Sequence, residues 1–386
     1  MQRGTLVTRI VSDGDRRTAL YAEHEALGAR FVPYAGWRMP VQYRGVAEEH
    51  HAVRTGVGLF DVSHMGRLEF TGAQAVAVVD GAITNDLQRL EPGRALYTCC
   101  CNESGGILDD LIVYKEAAER VLVVCNASNR DKISTHLGAL AAGRCAFEDT
   151  SDRTCLIAVQ GPAALELITT LGTPLRLPED LPPFHFRPTE IFGLRCAVAR
   201  TGYTGEDGVE VFCASELAPT LWRGLLEGGQ RLGVQAIGLA ARDTLRLEAR
   251  LALYGNEIDQ ATNPLEAGLA WTVKFEGRDF IGKAALIQLK EQGLKRRLVG
   301  FEMLGRGIAR HGYALSSPTG RALGQCTSGA PSPTLGVNIG LGYVPLEYAS
   351  IGTELVVDCR GRAVPAKVVK TPFYRRGTQN AERTSS

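Results

Sequence analysis

The sequence predicts an α+β protein with antiparallel sheets that ends in a small all-β unit. Up to about residue 290, strand-like runs alternate with segments whose apolar residues recur every three or four positions. Hairpins mixed with single helices favour an α+β arrangement over a doubly wound parallel sheet. Beyond Arg296 the chain changes to short strand-like runs separated by Gly, Pro and Ser, which predicts a barrel or sandwich.

The first of these two regions contains most of the predicted elements. The predicted strands are rich in aliphatic, β-branched or cysteine residues: Gly66–Phe70, Ala95–Cys101, Leu108–Tyr114, Arg120–Cys125, Leu156–Gln160, Arg195–Ala199 and Gly208–Cys213. The predicted helices show apolar spacing or capping residues: Thr18–Leu27, Glu48–Val53, Gly72–Gly81, Asn129–Ala142, Pro162–Leu171, Glu216–Gly228 and Leu239–Ala249. The Pro-rich stretch Pro174–Pro188 is predicted to be a surface connection, because repeated proline removes hydrogen-bond donors from a sheet.

The length of the chain requires more than one core. Single cores stop growing at roughly 250–300 residues, and this chain has 386. We expect a flexible segment over residues 1–16, a main region over 17–290, a β-barrel domain over 296–376 and a flexible tail over 377–386. The barrel strands are predicted at Leu298–Met303, Tyr313–Leu315, Gly324–Ser328, Ile339–Val344, Glu354–Cys359 and Ala363–Lys370.

Composition argues against several classes of function. A net charge of +1 gives no global field for a polyanion, so we expect no nucleic-acid partner. No apolar run of about 18 residues is present, so we expect no membrane association. The usual nucleotide, zinc-protease and hydrolase motifs are missing, and no two cysteines have C-x-x-C spacing, so no metal is expected. Ten cysteines without a visible export signal predict a cytoplasmic location, with the mitochondrial matrix as the alternative.

Two glycine turns far apart in the sequence carry carboxylates. The first lies in Asn102–Asp110 and the second in Thr201–Glu210, and each leads into an apolar run. A carboxylate held at such a strand edge could bind a nitrogen-rich ligand. A plain hairpin explains the Gly and Asp residues of each turn equally well. In an extended strand Asp109 and Asp110 point to opposite sides, so at most one of them faces a given cavity.

A third charged segment, Gly238–Ala249, favours a ligand-binding role for the two turns over a purely structural one. On a helix Arg242, Arg246 and Ala249 lie along one side, so one arginine could face inward against carboxylates from the turns. A solvent-exposed helix face with salt bridges is the alternative.

Several segments share their order and spacing with a known family. Besides the two turns, they are Ala35–Tyr43, Phe60–Gly66, Ala240–Glu248, Leu253–Asn256, Thr327–Gly329 and Pro331–Leu335. From about residue 18 to residue 373 the chain resembles the T-proteins of the glycine cleavage system, which are tetrahydrofolate-dependent aminomethyltransferases. The resemblance implies a three-lobed cloverleaf of antiparallel sheets and helices around a central folate channel. Two interleaved α+β lobes would form the main region, and the C-terminal β-barrel the third lobe.

The resemblance also implies a reaction and its partners. The methylene of an aminomethyl group on lipoylated H-protein would pass to tetrahydrofolate, the co-substrate. Ammonia would leave, and 5,10-methylenetetrahydrofolate would form. The alternative is another tetrahydrofolate-dependent one-carbon transferase or demethylase of the same superfamily, or a folate-binding module for iron–sulfur assembly whose cysteine-containing segment is missing here.

By the same resemblance, five residues are expected at the site. Asp110 matches the catalytic carboxylate of the family, with Asp109 as a structural neighbour. The residues expected to bind the co-substrate are Tyr97, Asp110, Tyr203, Glu210 and Arg242.

Other charged positions are open to more than one interpretation. Arg250 stands where the family usually has a small residue, and its side chain could crowd the wall or reach an acidic partner. Either Arg375 or Arg376 contacts the tail of the co-substrate, or both are solvated. The basic runs Lys295–Arg297 and Arg306–Arg310 could dock an acidic H-protein, although most such runs are simply solvated.

Overall fold

The computed structural model describes residues 15–377. Of the two segments predicted to be flexible, residues 1–14 and 378–386 lie outside the described range. The helices are α1 (Tyr21–Ala26), α2 (Val46–Thr55), α3 (Ala75–Ala82), α4 (Arg130–Ala141), α5 (Ala164–Thr170), α6 (Ala218–Gly228), α7 (Leu239–Glu248) and α8 (Lys283–Gln292).

The strands of the main region precede those of the barrel. The former are β1 (Arg30–Tyr34), β2 (Trp37–Gln42), β3 (Gly58–Asp61), β4 (Gly66–Thr71), β5 (Arg94–Cys101), β6 (Ile107–Ala117), β7 (Arg120–Cys125), β8 (Ala146–Asp149), β9 (Thr154–Gln160), β10 (Phe186–Ile191), β11 (Leu194–Ala199), β12 (Gly208–Ala214) and β13 (Gln235–Ala236). The latter are β14 (Arg296–Met303), β15 (Ala314–Ser316), β16 (Ala322–Ser332), β17 (Val337–Pro345), β18 (Glu354–Asp358) and β19 (Ala363–Val369).

Two sheets dominate the main region, and their strand pairs are antiparallel except for β13, which pairs with β3 in parallel. A five-stranded sheet has the order β5-β6-β7-β4-β8, and apolar residues of α3 and α4 pack against it in one core cluster. A six-stranded sheet has the order β10-β11-β12-β9-β3-β13, and α5 and α6 pack on it around the fully buried Trp222. Because β3 precedes the first sheet in the chain while β9 and β13 follow it, the two sheets are built from interleaved segments.

A further core joins the two sheets and positions the site. Tyr114 and Val124 of the five-stranded sheet share this core with Leu156 and Phe212 of the six-stranded sheet and with Leu245 of α7. The aromatic ring centroids of Tyr114 and Phe212 are 5.4 Å apart. This packing brings β6, which carries the first pair of acidic residues, next to β12, which carries Glu210.

The C-terminal strands form a closed barrel of order β14-β17-β16-β15-β18-β19, filled by apolar side chains around Phe301. All six runs predicted as barrel strands are strands, so the prediction of an α+β protein with a C-terminal barrel is confirmed. Within residues 15–377, no helix has the length and apolar character needed to cross a membrane.

Some local features differ from the predictions, including the short strands β1, β2, β3, β8 and β13, which were not predicted. The Pro-rich stretch ends in a strand, β10, which tolerates Pro188 because it is the edge strand of its sheet. Helix α8 was not predicted. Thr18 does not cap α1; its hydroxyl donates to Asp61, 2.6 Å away, and Leu20 occupies the capping position.

Candidate active site

A cavity of about 330 Å³ lies among the two sheets, α7 and the loop that follows α7. The structure brings all five predicted site residues to its wall: Tyr97, Asp110, Tyr203, Glu210 and Arg242. Asp110 and Glu210 are a hundred positions apart in the sequence and come from different sheets. We refer to this space as the central cavity.

The first acidic pair lies on β6, directly after the β5–β6 turn. The Asn102 side chain closes this turn by accepting hydrogen bonds from the backbone of Ser104 and Gly106, and Gly105 has a φ of +80°. A side chain at Gly106 would collide with the carbonyl oxygen of Gln260, so that glycine allows the loops to approach closely. The turn therefore serves as a plain hairpin and also fixes the start of β6.

Asp109 and Asp110 point to opposite sides of β6, as the alternation of a strand predicts. Asp109 is fully buried and accepts hydrogen bonds from the Asn126 backbone and from the side-chain amides of Asn126 and Asn129. Asp110 lines the central cavity, where Tyr97 Oη donates to its Oδ2 at 2.9 Å and Asn126 Nδ2 to its Oδ1 at 2.7 Å.

The two carboxyl groups interact through Asn126, whose amide contacts both. Burial and the neighbouring charge of Asp110 raise the pKa of Asp109 to about 8. Burial also raises the pKa of Asp110, although hydrogen bonds from Tyr97 and Asn126 oppose the shift. The pair therefore titrates as one unit and takes up its first proton above the ordinary aspartate range.

An aromatic wall stands beside Asp110. The ring of Tyr97 is stacked on that of Trp271 with centroids 5.7 Å apart and an interplanar angle of 24°. Trp271 is 57% exposed although it lines the cavity, so it marks an opening to solvent. A flat ligand that enters past Trp271 would meet an aromatic surface and then Asp110.

Glu210 occupies a different part of the cavity. It is buried on β12, where the hydroxyls of Thr201 and Tyr114 donate to its Oε2 at 2.5 and 3.4 Å. No residue between 15 and 377 donates to its Oε1. This oxygen remains available to accept hydrogen bonds from N–H groups of a ligand.

Helix α7 contributes Arg242, which lies over the ring of Tyr203 at 4.5 Å from the centroid. Within residues 15–377 no carboxylate forms an ion pair with Arg242. The sequence left open which arginine faces inward; in fact Arg246 is the more deeply buried of the two and pairs with Glu257 at 2.7 Å, away from the cavity wall.

Sequence reasoning missed two residues that contact the central cavity. Asn126, which bridges the aspartates, follows β7 and has no motif of its own. His64 is 4% exposed and lines the cavity, and its Nδ1 has no hydrogen-bond partner in the described chain. Burial lowers the pKa of His64 to about 3. The segment Phe60–Gly66 that carried the family resemblance was the available signal for His64.

The remaining charged candidates lie outside the cavity wall. Arg376 pairs with Asp207 at 2.8 Å, and Arg375 is not among the cavity-lining residues. Arg296 of the basic run Lys295–Arg297 pairs with Glu266 at 2.8 Å. In the part of the chain that the structure describes, no group of three His, Cys, Asp or Glu residues is placed to hold a metal ion.

Comparisons with known proteins cover nearly the whole chain. A family model described as "GCVT N-terminal domain" matches residues 20–277, and one described as "Glycine cleavage T-protein C-terminal barrel domain" matches residues 296–375. The aminomethyltransferase of Desulfitobacterium hafniense (strain DSM 10664 / DCB-2) is 47% identical over 362 residues, which cover 94% of this chain and 98% of that protein. That of Bacillus subtilis (strain 168) is 44% identical over 363 residues, 94% of this chain and 99% of the relative.

A solved structure is similar over the same extent. The glycine cleavage system aminomethyltransferase T from Bartonella henselae superposes with a TM-score of 0.87 at 36% sequence identity. The match covers 93% of this chain and 98% of that one, so both the interleaved sheets and the barrel lie within it.

Proposed function

This chain belongs to the glycine cleavage T-protein family, and we propose that its central cavity binds tetrahydrofolate as co-substrate. The protein is an aminomethyltransferase of the glycine cleavage system. The observation that carries the proposal is the convergence of Asp110 and Glu210, from two separate sheets, on one enclosed space with aromatic walls.

The donors and acceptors in the cavity fit a reduced pterin. Glu210 Oε1 accepts no hydrogen bond from residues 15–377, and Oε2 accepts one from the Thr201 hydroxyl. The carboxylate can therefore face the two parallel N–H groups of an aminopyrimidine edge. Tyr97 and Tyr203 offer ring faces for the flat parts of the molecule. Arg242 adds a cation that has no carboxylate partner among residues 15–377, and a bound ligand would compensate for its burial.

Asp110 is proposed as the catalytic residue. Tetrahydrofolate, when bound, supplies the amine nitrogens that accept the one-carbon unit. The carboxylate of Asp110 orients these nitrogens and stabilises the positive charge that develops during transfer. Tyr97 and Asn126 hold one oxygen each, so the carboxylate is fixed before the substrate arrives. Electrostatic stabilisation of this kind needs no reorganisation at the moment of reaction.

The carbon donor is proposed to be the aminomethyl group on the lipoyl arm of H-protein. The arm would enter at the opening marked by Trp271, which adjoins Tyr97 and hence Asp110. Loss of ammonia and cleavage of the carbon–sulfur bond would release the dihydrolipoyl arm. The cytoplasmic location predicted from the cysteines belongs to the same proposal.

The decisive experiment incubates the protein with aminomethylated H-protein and tetrahydrofolate and measures ammonia and 5,10-methylenetetrahydrofolate together. We expect the two products in equal amounts, and neither without the aminomethylated carrier. One-carbon product from a small methylated amine, with none from H-protein, would contradict the proposal and favour a demethylase of the same superfamily.

A further inference from the structure

Arg250 has an unusual backbone conformation at the end of α7. Its N–H donates to Leu247 O at 3.0 Å, and the N–H of Leu251 donates to Arg246 O at 2.9 Å. This pair of hydrogen bonds is a Schellman motif, in which the residue after the C-cap adopts left-handed geometry and is usually glycine. Arg250 has a φ of +57° there. A residue with a side chain is strained in this conformation, and such strain is concentrated at functional sites.

The side chain of Arg250 reaches the wall of the central cavity. Its Nη2 contacts the carbonyl oxygens of Ala267 and Leu298, both at the long distance of 3.4 Å. Gly268 makes room for it, because a Cβ there would lie 2.6 Å from Nη2. In the described chain no carboxylate pairs with Arg250, so most of its hydrogen-bonding capacity is unused.

The charges around Arg250 leave it available to a ligand. The charged groups that act on it are Glu257 and Arg297, but Glu257 is already paired with Arg246 at 2.7 Å. Burial lowers the pKa of Arg250, because the ionised form loses hydration. An anion at this point of the cavity would restore part of that lost solvation.

We propose that Arg250 binds a carboxylate of the glutamyl tail of the co-substrate and so acts as a specificity residue of the central cavity. The inference rests on the tetrahydrofolate binding proposed above. A pterin ring held by Glu210 in the buried part of the cavity would direct the opposite, anionic end away from Glu210, across the rest of the cavity. Arg250, in the loop that follows α7, lines this cavity, and its contact with Ala267 O places it close to the start of the segment that carries Leu269.

The test compares two ligands that differ only in the tail: tetrahydrofolate and tetrahydropteroate, which lacks the glutamate. Calorimetric dissociation constants are measured for the wild type, Arg250→Gly, Arg250→Met and Arg250→Lys. The matched control is Arg360→Gly, because Arg360 also has a left-handed φ, of +60°, but lies in an exposed turn of the barrel. Thermal unfolding of each variant reports whether strain is relieved.

We expect the Gly and Met variants to lose about tenfold in affinity for tetrahydrofolate, the equivalent of about 1.4 kcal/mol, and nothing for tetrahydropteroate. Lys should retain part of the affinity, and both Gly variants should unfold at a higher temperature than the wild type. Equal losses for both ligands, or no loss in Arg250→Gly, would overturn the role of Arg250 alone. Failure of the wild type to bind either ligand would overturn the proposed function as well.

Discussion

The two ends of helix α7 carry arginines with opposite surroundings. Arg246 is 1% exposed and completely engaged: it pairs with Glu257 and Asp243 and donates to Ser328 of the barrel at 2.8 Å. One turn earlier, Arg242 faces the central cavity and lies over the ring of Tyr203. The contrast separates a charge that is paired within the protein from a charge that we propose to contact a ligand.

Beyond Arg246, the end of α7 contributes Glu248 to a second cluster of buried, paired charges. Glu248 accepts hydrogen bonds from Ser332 and Thr334 and pairs with Arg54 at 2.8 Å, and Arg54 pairs in turn with Glu206 at 2.8 Å. Burial alone would raise the pKa of Glu248, but the hydrogen bond and charge of His50, the hydrogen bond of Ser332 and the charge of Arg54 lower it to about 2. We call Arg54, Glu206, Arg246, Glu248 and Glu257 the junction network, since it connects α7 to the barrel.

The strongest test of this contrast removes the charge of each of these two arginines of α7 in turn. Arg246→Met leaves Glu257, which is fully buried, without its partner, and breaking such a pair costs about 3–5 kcal/mol. Arg242→Met removes no ion pair and should cost less than about 1 kcal/mol. Urea unfolding followed by circular dichroism measures both. Similar losses in the two variants would mean that the cavity side is also structural.

The next largest effect is expected for a substitution in the central cavity, which should lower the turnover rate without changing the stability of the fold. Asp110→Asn keeps the shape and the contact with Tyr97 but removes the charge, so turnover should fall by roughly 10²–10³-fold, the loss typical for a preorganised electrostatic group. The dissociation constant for tetrahydrofolate should change little. The control is Glu103→Gln, an exposed carboxylate in the turn of the same hairpin. Unchanged ammonia release at saturating tetrahydrofolate would remove Asp110 from the mechanism.

Glu210 should show the reverse pattern. Glu210→Gln replaces one carboxylate oxygen by an amide nitrogen, whose N–H groups would face the N–H groups of the pterin. The affinity for tetrahydrofolate should therefore weaken by about 1.5–3 kcal/mol, the usual value of a hydrogen bond to a charged group. At saturation, kcat should remain within a few fold of the wild type. Glu190→Gln, exposed on β10 of the same sheet, is the control. A large fall in kcat at unchanged affinity would make Glu210 part of the chemistry.

Local patterns predicted much of the fold because most elements pair with neighbours in the chain. The strand Arg120–Cys125 was predicted with its observed limits, and it forms a hairpin with the strand before it. The pairing of Gln235 with Gly58 has no local signal, since it depends on chain segments far apart. Helix α8 was missed because its apolar pattern is weak, with Leu286 as the one buried residue among its ten.

The candidate site was predictable only in part. Strand alternation alone indicated that at most one aspartate of the pair would face a given cavity, whereas the family resemblance chose Asp110 and linked it to Glu210. No helix periodicity could decide between Arg242 and Arg246, because the choice depends on the barrel strand that supplies Ser328. His64 was not predicted for a similar reason, because the lack of a hydrogen-bond partner for its Nδ1 is a property of the folded cavity.

The smallest predicted effect concerns two buried histidines on either side of the same contrast. His50 belongs to the engaged side: Thr244 and Thr334 contact its two ring nitrogens at 2.8 Å. His64 has an Nδ1 without a partner and lines the cavity. If burial keeps His64 neutral in the folded protein, the folded state must lose stability as the pH falls.

The pKa of His64 is lowered to about 3 in the folded protein, against about 6.5 in an unfolded chain. Between these values the unfolded chain binds a proton that the folded chain does not, so falling pH favours unfolding. The stability difference between the wild type and His64→Gln should therefore shift against the wild type by about 1.4 kcal/mol per pH unit below 6. His51→Gln, an exposed neighbour of His50, should show no such slope. A pH-independent difference would mean that His64 has the same pKa in the folded and the unfolded chain, and burial in the cavity would then not keep the imidazole neutral.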